Sequence, residues 1–368
     1  MPPHRKVLML VALTLCLPMG SCMRRPVGFD AVKVAHEYRR NRPYTPATRP
    51  TNEQPLASTG GVDADDIYKA RIQHYFNLRN LDQIDREAHE ARVGKVRFPG
   101  GVWKVYVVYL GVTKPVDGDA ATEAEWKIHM DGVKVWASVR PESVTAQLAL
   151  AESYVNYAWF ARGSGYSDSV TDEGWKLFQD RVETAQSILL KAARLKEKCP
   201  FWYEVMQHVA LAQGWDKSLA RELMEQAVQF EPDYYAYYRE FAYYLEPKWY
   251  GAKGEADAFA EEISNRVGGK EGAFLYFEIA SLLTCQCGQD PTHMKYLSWP
   301  KIKEGYAALG ELYGLSNLKR NRYAYMASRV GDKATTREAI AEIGDNWVQE
   351  TWYSHDRYQA VAAWAEGR

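Results

Sequence analysis

The sequence predicts an all-α protein built from stacked helix pairs, and three observations carry that prediction. From Asp63 to the C-terminus, apolar residues recur at helical spacing between short runs of Gly, Pro or Asp. One arrangement returns along the chain: Ala220, Met224, Ala227 and Pro232 set a small residue at a close helix crossing, a larger one beside it, a second small one and a stop. Finally, 368 residues with 46% apolar and 25% charged side chains are enough to bury a large core.

In chain order, the first element is a targeting signal. "MPPHRK" is basic and "VLMLVALTLCLPMG" has the length of a signal-peptide apolar run. Residues 1–22 therefore read as a signal peptide. Met19-Gly20-Ser21-Cys22 resembles the bacterial lipoprotein signal, which implies lipidation at Cys22, although Met19 departs from the usual Leu; ordinary cleavage nearby and an uncleaved anchor are the alternatives. The leading readings place the body outside the cytoplasm, anchored to a membrane or free in the periplasm or medium. Residues 23–62, rich in Pro, Thr, Ser and Gly after a basic start, read as a flexible tether with room for a short helix near Val32–Arg40.

Residues 63–142 form an N-terminal helical region. Within it "GVWKVYVVYLGV", from Gly101 to Val112, fits a strand as well as a helix. Residues 143–290 hold the strongest periodicity. Trp175, Phe178, Val182, Ala185, Leu189 and Ala192 define one buried face, with Ser169 and Asp172 as its expected capping box. Trp202, Val205, Met206 and Val209 define another stripe, and Asp216 stands where a cap would start the next helix. Residues 291–368 continue as a C-terminal helical repeat region.

The recurrent arrangement is found again at Ala185, Leu189 and Ala192, with Pro200 displaced. His129, Val133, Trp136 and Pro141 keep the spacing without the small residues, and Ala327, Gly331, Asp332, Ala339 and Ile343 make a fourth copy. The window "ARELMEQAVQFEPDY" resembles the second helix and turn of the tetratricopeptide repeat, and Tyr238, Phe241, Ala242 and Leu245 match that family's first-helix core positions. The resemblance implies a right-handed α-solenoid of irregular helix pairs with a concave groove, faced by Asp233, Tyr234, Ala236, Arg239, Tyr243 and Glu246. Tyr235, Tyr237 and Tyr244 fit neither set. The series from "AWFARGSGY" to "GGKEGAFLYFEIA", about residues 143–280, also resembles an exported bacterial domain family without an assigned activity.

Charge excludes one class of partner. Lys plus Arg, 46, balances Asp plus Glu, 47, so no net field attracts nucleic acid. No nucleophile elbow, phosphate loop, dinucleotide fingerprint or zinc-protease helix is present, so neither an enzyme nor a cofactor is expected from motifs. No metal is expected: the weak candidates Cys285, Cys287 and His293 lack the usual Cys spacing and a fourth ligand, and read rather as a helix end with small buried thiols. Asp63, Asp65 and Asp66 resemble a piece of a calcium loop, but a helix start accounts for them. Glu87, His89 and Glu90 read as a solvated helix surface. Arg24, Arg25, Arg39, Arg40 and Arg42 read as a charged linker that would lean on anionic lipid if Cys22 is acylated.

The expected function is recognition of a protein or peptide partner in the concave groove. The alternative is glycan binding through Trp215, Trp249 and Tyr250 or the Trp202-Tyr203 pair, which core packing also explains. An enzyme without a familiar motif would instead show converging carboxylates or a histidine of perturbed pKa in a cleft.

Overall fold

The computed structural model describes residues 27–40, 61–165, 167–285 and 293–367, and every long element among them is a helix. The order is α1 (Phe29–Arg40), α2 (Ala64–Asn77), α3 (Leu81–Gly94), α4 (Lys104–Val112), α5 (Glu123–Val139) and α6 (Val144–Arg162). Then follow α7 (Asp172–Ala192), α8 (Phe201–Gln213), α9 (Lys217–Phe230), α10 (Ala236–Tyr244), α11 (Glu255–Val267) and α12 (Gly269–Cys285). The chain ends with α13 (Trp299–Tyr313), α14 (Asn317–Arg329), α15 (Lys333–Ile343), α16 (Gln349–Trp352) and α17 (His355–Glu366). The signal segment with Cys22, residues 41–60 of the expected tether, and Cys287 lie outside the described residues. Among the described residues no helix is long and apolar enough to cross a membrane.

Consecutive helices pack as pairs: α6 on α7, α8 on α9, α11 on α12, α12 on α13 and α14 on α15. A second set of contacts links alternate helices, α6 to α8, α8 to α10, α10 to α12 and α12 to α14. These five form an inner row. Position in that row explains α8 and α12, which bury side chains all round and so carry little amphipathic pattern. The outer α7 and α9 show the one-sided pattern instead, with Phe178, Val182, Ala185, Leu189 and Ala192, and Ala220, Met224 and Ala227, buried as the periodicity predicts. The fourth copy of the repeat is different: Ala327 lies in the last turn of α14, Gly331 and Asp332 lie between the helices, and Ala339 and Ile343 lie on α15.

Several expectations are corrected. The short helix allowed near Val32–Arg40 is present as α1, but it belongs to the core: it buries Ala31, Val32, Ala35 and Tyr38 against the body, packing on α9, with Tyr38 stacked on Trp202 at 4.6 Å. The surrounding sequence is too polar to reveal this, because four residues on one stripe suffice for a helix that borrows its partner surface. The ambiguous run Gly101–Val112 is helical from Lys104, and the one bridge at its start joins Arg97 to Trp103. Helix α7 is capped by the Thr171 hydroxyl, which accepts from Gly174 N at 3.0 Å, not by Ser169. Asp63 makes no side-chain cap on α2. Its two oxygens instead accept from Asn317 N and Leu318 N at 2.6 and 2.9 Å, capping α14 from far along the chain. Glu87 is not solvated, since it accepts from Tyr68 Oη at 2.9 Å on a largely covered face.

Candidate functional site

The segment between α3 and α4 decides what is left of the inner face. Lys95, in the left-handed conformation, sends its ammonium 2.9 Å from Glu231, both side chains buried. Arg97 and Trp103 then converge on one acceptor, the carbonyl of Asp233, at 2.5 and 2.9 Å. The Arg97 guanidinium lies over Trp103, Tyr235 and Tyr313, 4.7 to 4.9 Å from each ring. Between these anchors the chain reverses through Gly100 and Gly101, both at positive φ; a Cβ on Gly101 would stand 3.0 Å from Phe274. Residues 95–103 thus cover the turn before α10, where the repeat resemblance implies an open groove.

Beneath this cover remains a small cleft of about 80 Å³. Its walls are aromatic: Trp103, Tyr106, Tyr234, Tyr235 and Phe274. Its polar side chains come from three helices of the inner row, Glu204 on α8, Arg239 and Glu240 on α10, and Glu278 on α12. A second cleft, which shares Tyr106 with the first, is lined by Glu152 and Asn156 of α6 and by His208 of α8.

A chain of charges joins the two clefts along the row. Glu152 Oε2 is 2.9 Å from His208 Nδ1, and His208 Nε2 is 3.3 Å from Glu240 Oε2. Arg239 Nη1 is 3.6 Å from Glu278 Oε2, and Lys319 of α14 reaches both Glu278 oxygens at 2.5 and 2.7 Å. Each ion pair crosses from one inner helix to the next, so the row is tied by charge as well as by packing. Burial opposes the charge on His208, but Glu152 and Glu240 overcome it and hold the imidazole well above its usual range. Burial likewise opposes the charge on Glu240, and His208 and then Arg239 outweigh it, bringing its pKa down. Burial lowers Lys319 to about 8, against the pull of Glu278.

Glu204 is the exception. It is 2% exposed, and its one hydrogen bond among the described residues comes from Tyr234 Oη at 2.5 Å. Burial, with the neighbouring Glu240 charge, pushes its carboxyl up to about 8 against the pull of His208. A carboxyl that keeps its proton at neutral pH, beside an imidazole and a carboxylate, can donate a hydrogen bond or a proton. Among the described residues, Glu204, His208 and Glu240 are the three His, Cys or carboxylate side chains whose ligand atoms converge, all within 4.8 Å.

Only part of the expected groove set gathers here. Tyr234, Ala236 and Arg239 line the cleft, but Tyr234 is otherwise buried and Arg239 is engaged with Glu278. Asp233 contributes its backbone carbonyl to the covering segment. Tyr243 packs edge-on against Trp249 at 5.8 Å, and the buried Glu246 pairs with His293. The register of α10 is otherwise as predicted, since Tyr238, Phe241, Ala242 and Leu245 are buried; so are Tyr235, Tyr237 and Tyr244. Cys285 does not join His293 in a centre: the ring's Nδ1 and Nε2 face Asp257 and Glu246, and Cys285 is a buried free thiol in contact with Thr284. Nor do the sugar-stacking rings share a surface. Trp202, Tyr203 and Trp215 are buried, the last under Gly28, while Tyr250 is exposed.

Sequence reasoning missed Glu152, Glu204, His208, Glu240, Glu278 and Lys319. A signal for two of them was present: Glu204 and His208 stand four apart in "FWYEVMQHVALAQ", a helix apolar on its other faces. Glu240 gave none, because "YYREFAYY" reads as an ordinary charged step on a half-buried helix.

Compared with protein-family models, with curated proteins and with solved structures, the chain matches none.

Proposed function

We propose that the chain is an exported helical-repeat recognition protein, held at a membrane through Cys22, that binds a protein or peptide partner. On this reading the inner row belongs to a right-handed, tetratricopeptide-like stack, and the partner enters it end-on. The observation that carries the proposal is the cleft itself, with aromatic walls around charged groups drawn from three helices. A cleft of about 80 Å³ suits at most one small anchoring side chain or chain terminus, in the kind of desolvated pocket where interface energy concentrates. The covering segment 95–103 argues against an extended peptide lying along the row.

Peptide arrays probed with the full chain test this. Bound peptides are expected to lose at least about tenfold in affinity when Val102→Trp fills the cleft or Glu240→Gln removes a charge from its wall. Binding that survives both substitutions in a protein with native circular dichroism would place recognition elsewhere.

One observation favours a second reading as an acid–base enzyme: Glu204, raised to about 8, beside the His208–Glu240 pair. Turnover of any ester, amide or glycoside substrate that Glu204→Gln abolishes, with the fold intact, would support it.

A further inference from the structure

We infer that Glu204, His208 and Glu240 bind one first-row divalent cation of the Zn²⁺ type, leaving a coordination position turned into the cleft for an oxygen donor of the partner. The second half rests on the recognition reading above; the first half stands without it.

The donor set suits such an ion, which takes imidazole nitrogen and carboxylate oxygen and, in open sites, keeps three protein ligands and one free position. Two ligands bound at about 2.0–2.2 Å in tetrahedral geometry stand about 3.4 Å apart. His208 Nε2 and Glu240 Oε2 are already 3.3 Å apart, and the Glu204 oxygen lies within 4.8 Å of both. Glu204 and His208 are one helical turn apart on α8, a buried scaffold that fixes their relative position.

Two observations outside that trio point the same way. Glu152 faces His208 Nδ1 at 2.9 Å, the carboxylate–histidine arrangement that directs the opposite ring nitrogen at a metal. Glu204 is a buried carboxyl group without an ion pair among the described residues, and it lines the cleft. A divalent ion would displace the carboxyl proton and stand as the countercharge of the resulting carboxylate. Access is open, since Glu204 and Glu240 line one cleft and His208 the other.

The test is equilibrium dialysis of the full chain against Zn²⁺ alone, followed by peptide binding with and without a chelator. The wild-type chain is expected to take up about one equivalent. Glu240→Gln and His208→Gln should weaken uptake at least about tenfold, and Glu152→Gln, which removes only the orienting group, by about 10–100-fold. His293→Gln is expected to bind as the wild type does. Circular dichroism melts identify any variant that fails to fold, and Glu152→Gln keeps the test decisive if His208→Gln does. Uptake well under one equivalent, or uptake lost in His293→Gln but kept in Glu240→Gln, overturns the inference. If zinc binds but chelation leaves peptide affinity unchanged, the partner half falls and the ion site stands. If peptides bind without any zinc uptake, the ion site falls and the recognition reading stands.

Discussion

Two histidines in this molecule are each gripped by two carboxylates, and only one of them belongs to a candidate site. His293 has Asp257 3.0 Å from Nδ1 and Glu246 3.3 Å from Nε2; His208 has Glu152 at 2.9 Å and Glu240 at 3.3 Å. The local chemistry is nearly the same. What differs is the surroundings: the His293 trio has side-chain exposures of 2 to 7%, whereas His208 is 21% exposed beside two clefts and a third carboxyl, Glu204. At both histidines the two acids approach opposite ring nitrogens, but the His293 trio is almost fully covered and acts as a clasp between α11 and the turn after α10. Around His208, Glu204 and Glu240 converge beside the imidazole, and an acid is left over without a countercharge. A buried ion pair is thus read as structural or functional from access and from unbalanced charge, not from residue types.

The comparison can be broken most severely at the closed trio. His293→Ala leaves Asp257 and Glu246 buried together and is expected to cost about 3–5 kcal/mol in urea denaturation, the usual consequence of removing one partner from a buried ionic group. His208→Ala should cost less, about 1–3 kcal/mol, because water from either cleft can solvate Glu152 and Glu240. Equal losses at the two positions would mean that the clefts do not relieve the exposed acids.

A pH series sharpens the contrast. Burial opposes the charge on His293, but its hydrogen bonds to Asp257 and Glu246 win and raise its pKa to about 10. A cation held more tightly in the folded state stabilises fully below its unfolded pKa, about 6.5, and that contribution is lost as pH rises toward 10. Stability should therefore fall between about pH 6.5 and 10, and His293→Gln should flatten that fall. A slope unchanged by the substitution would assign the alkaline loss to other groups. The smallest effect is expected at Glu204→Gln, which removes an acid without an ion pair and should leave stability unchanged or raise it by about 1 kcal/mol. A loss comparable to that at His293 would show that Glu204 is a structural group.

How much of this was legible in the sequence differs by layer. Helical character from Asp63 onward, the buried faces of α7 and α9 and the core stripe Tyr238, Phe241, Ala242 and Leu245 follow from spacing, and the structure agrees. Helices α7 and α9 lie outside the inner row, where one face must be apolar and the other wet. Helices α8 and α12 gave a weaker pattern because they are buried all round, and the core role of α1 was hidden in a segment whose composition reads as linker. Of the expected groove positions, Tyr243 packs on Trp249 and Glu246 pairs with His293, partners that come from within the chain itself. Residues 95–103 likewise take the Asp233 carbonyl and the turn before α10, and no local spacing encodes any of these partners.

The sequence by itself determined the helical class and the core register of the outer helices, because both follow from local periodicity. Tertiary structure alone decided the site. Glu152, Glu204, His208, Glu240 and Glu278 lie on four helices, and no local rule relates them. Only the stacking of alternate helices brings them into one row, and only the reversal at Gly100 and Gly101 lays the chain's own segment over it. Seven Tyr or Phe rings crowd the stretch from Tyr234 to Tyr244. Packing made six of its rings interior, and left the chemistry to the acids between them.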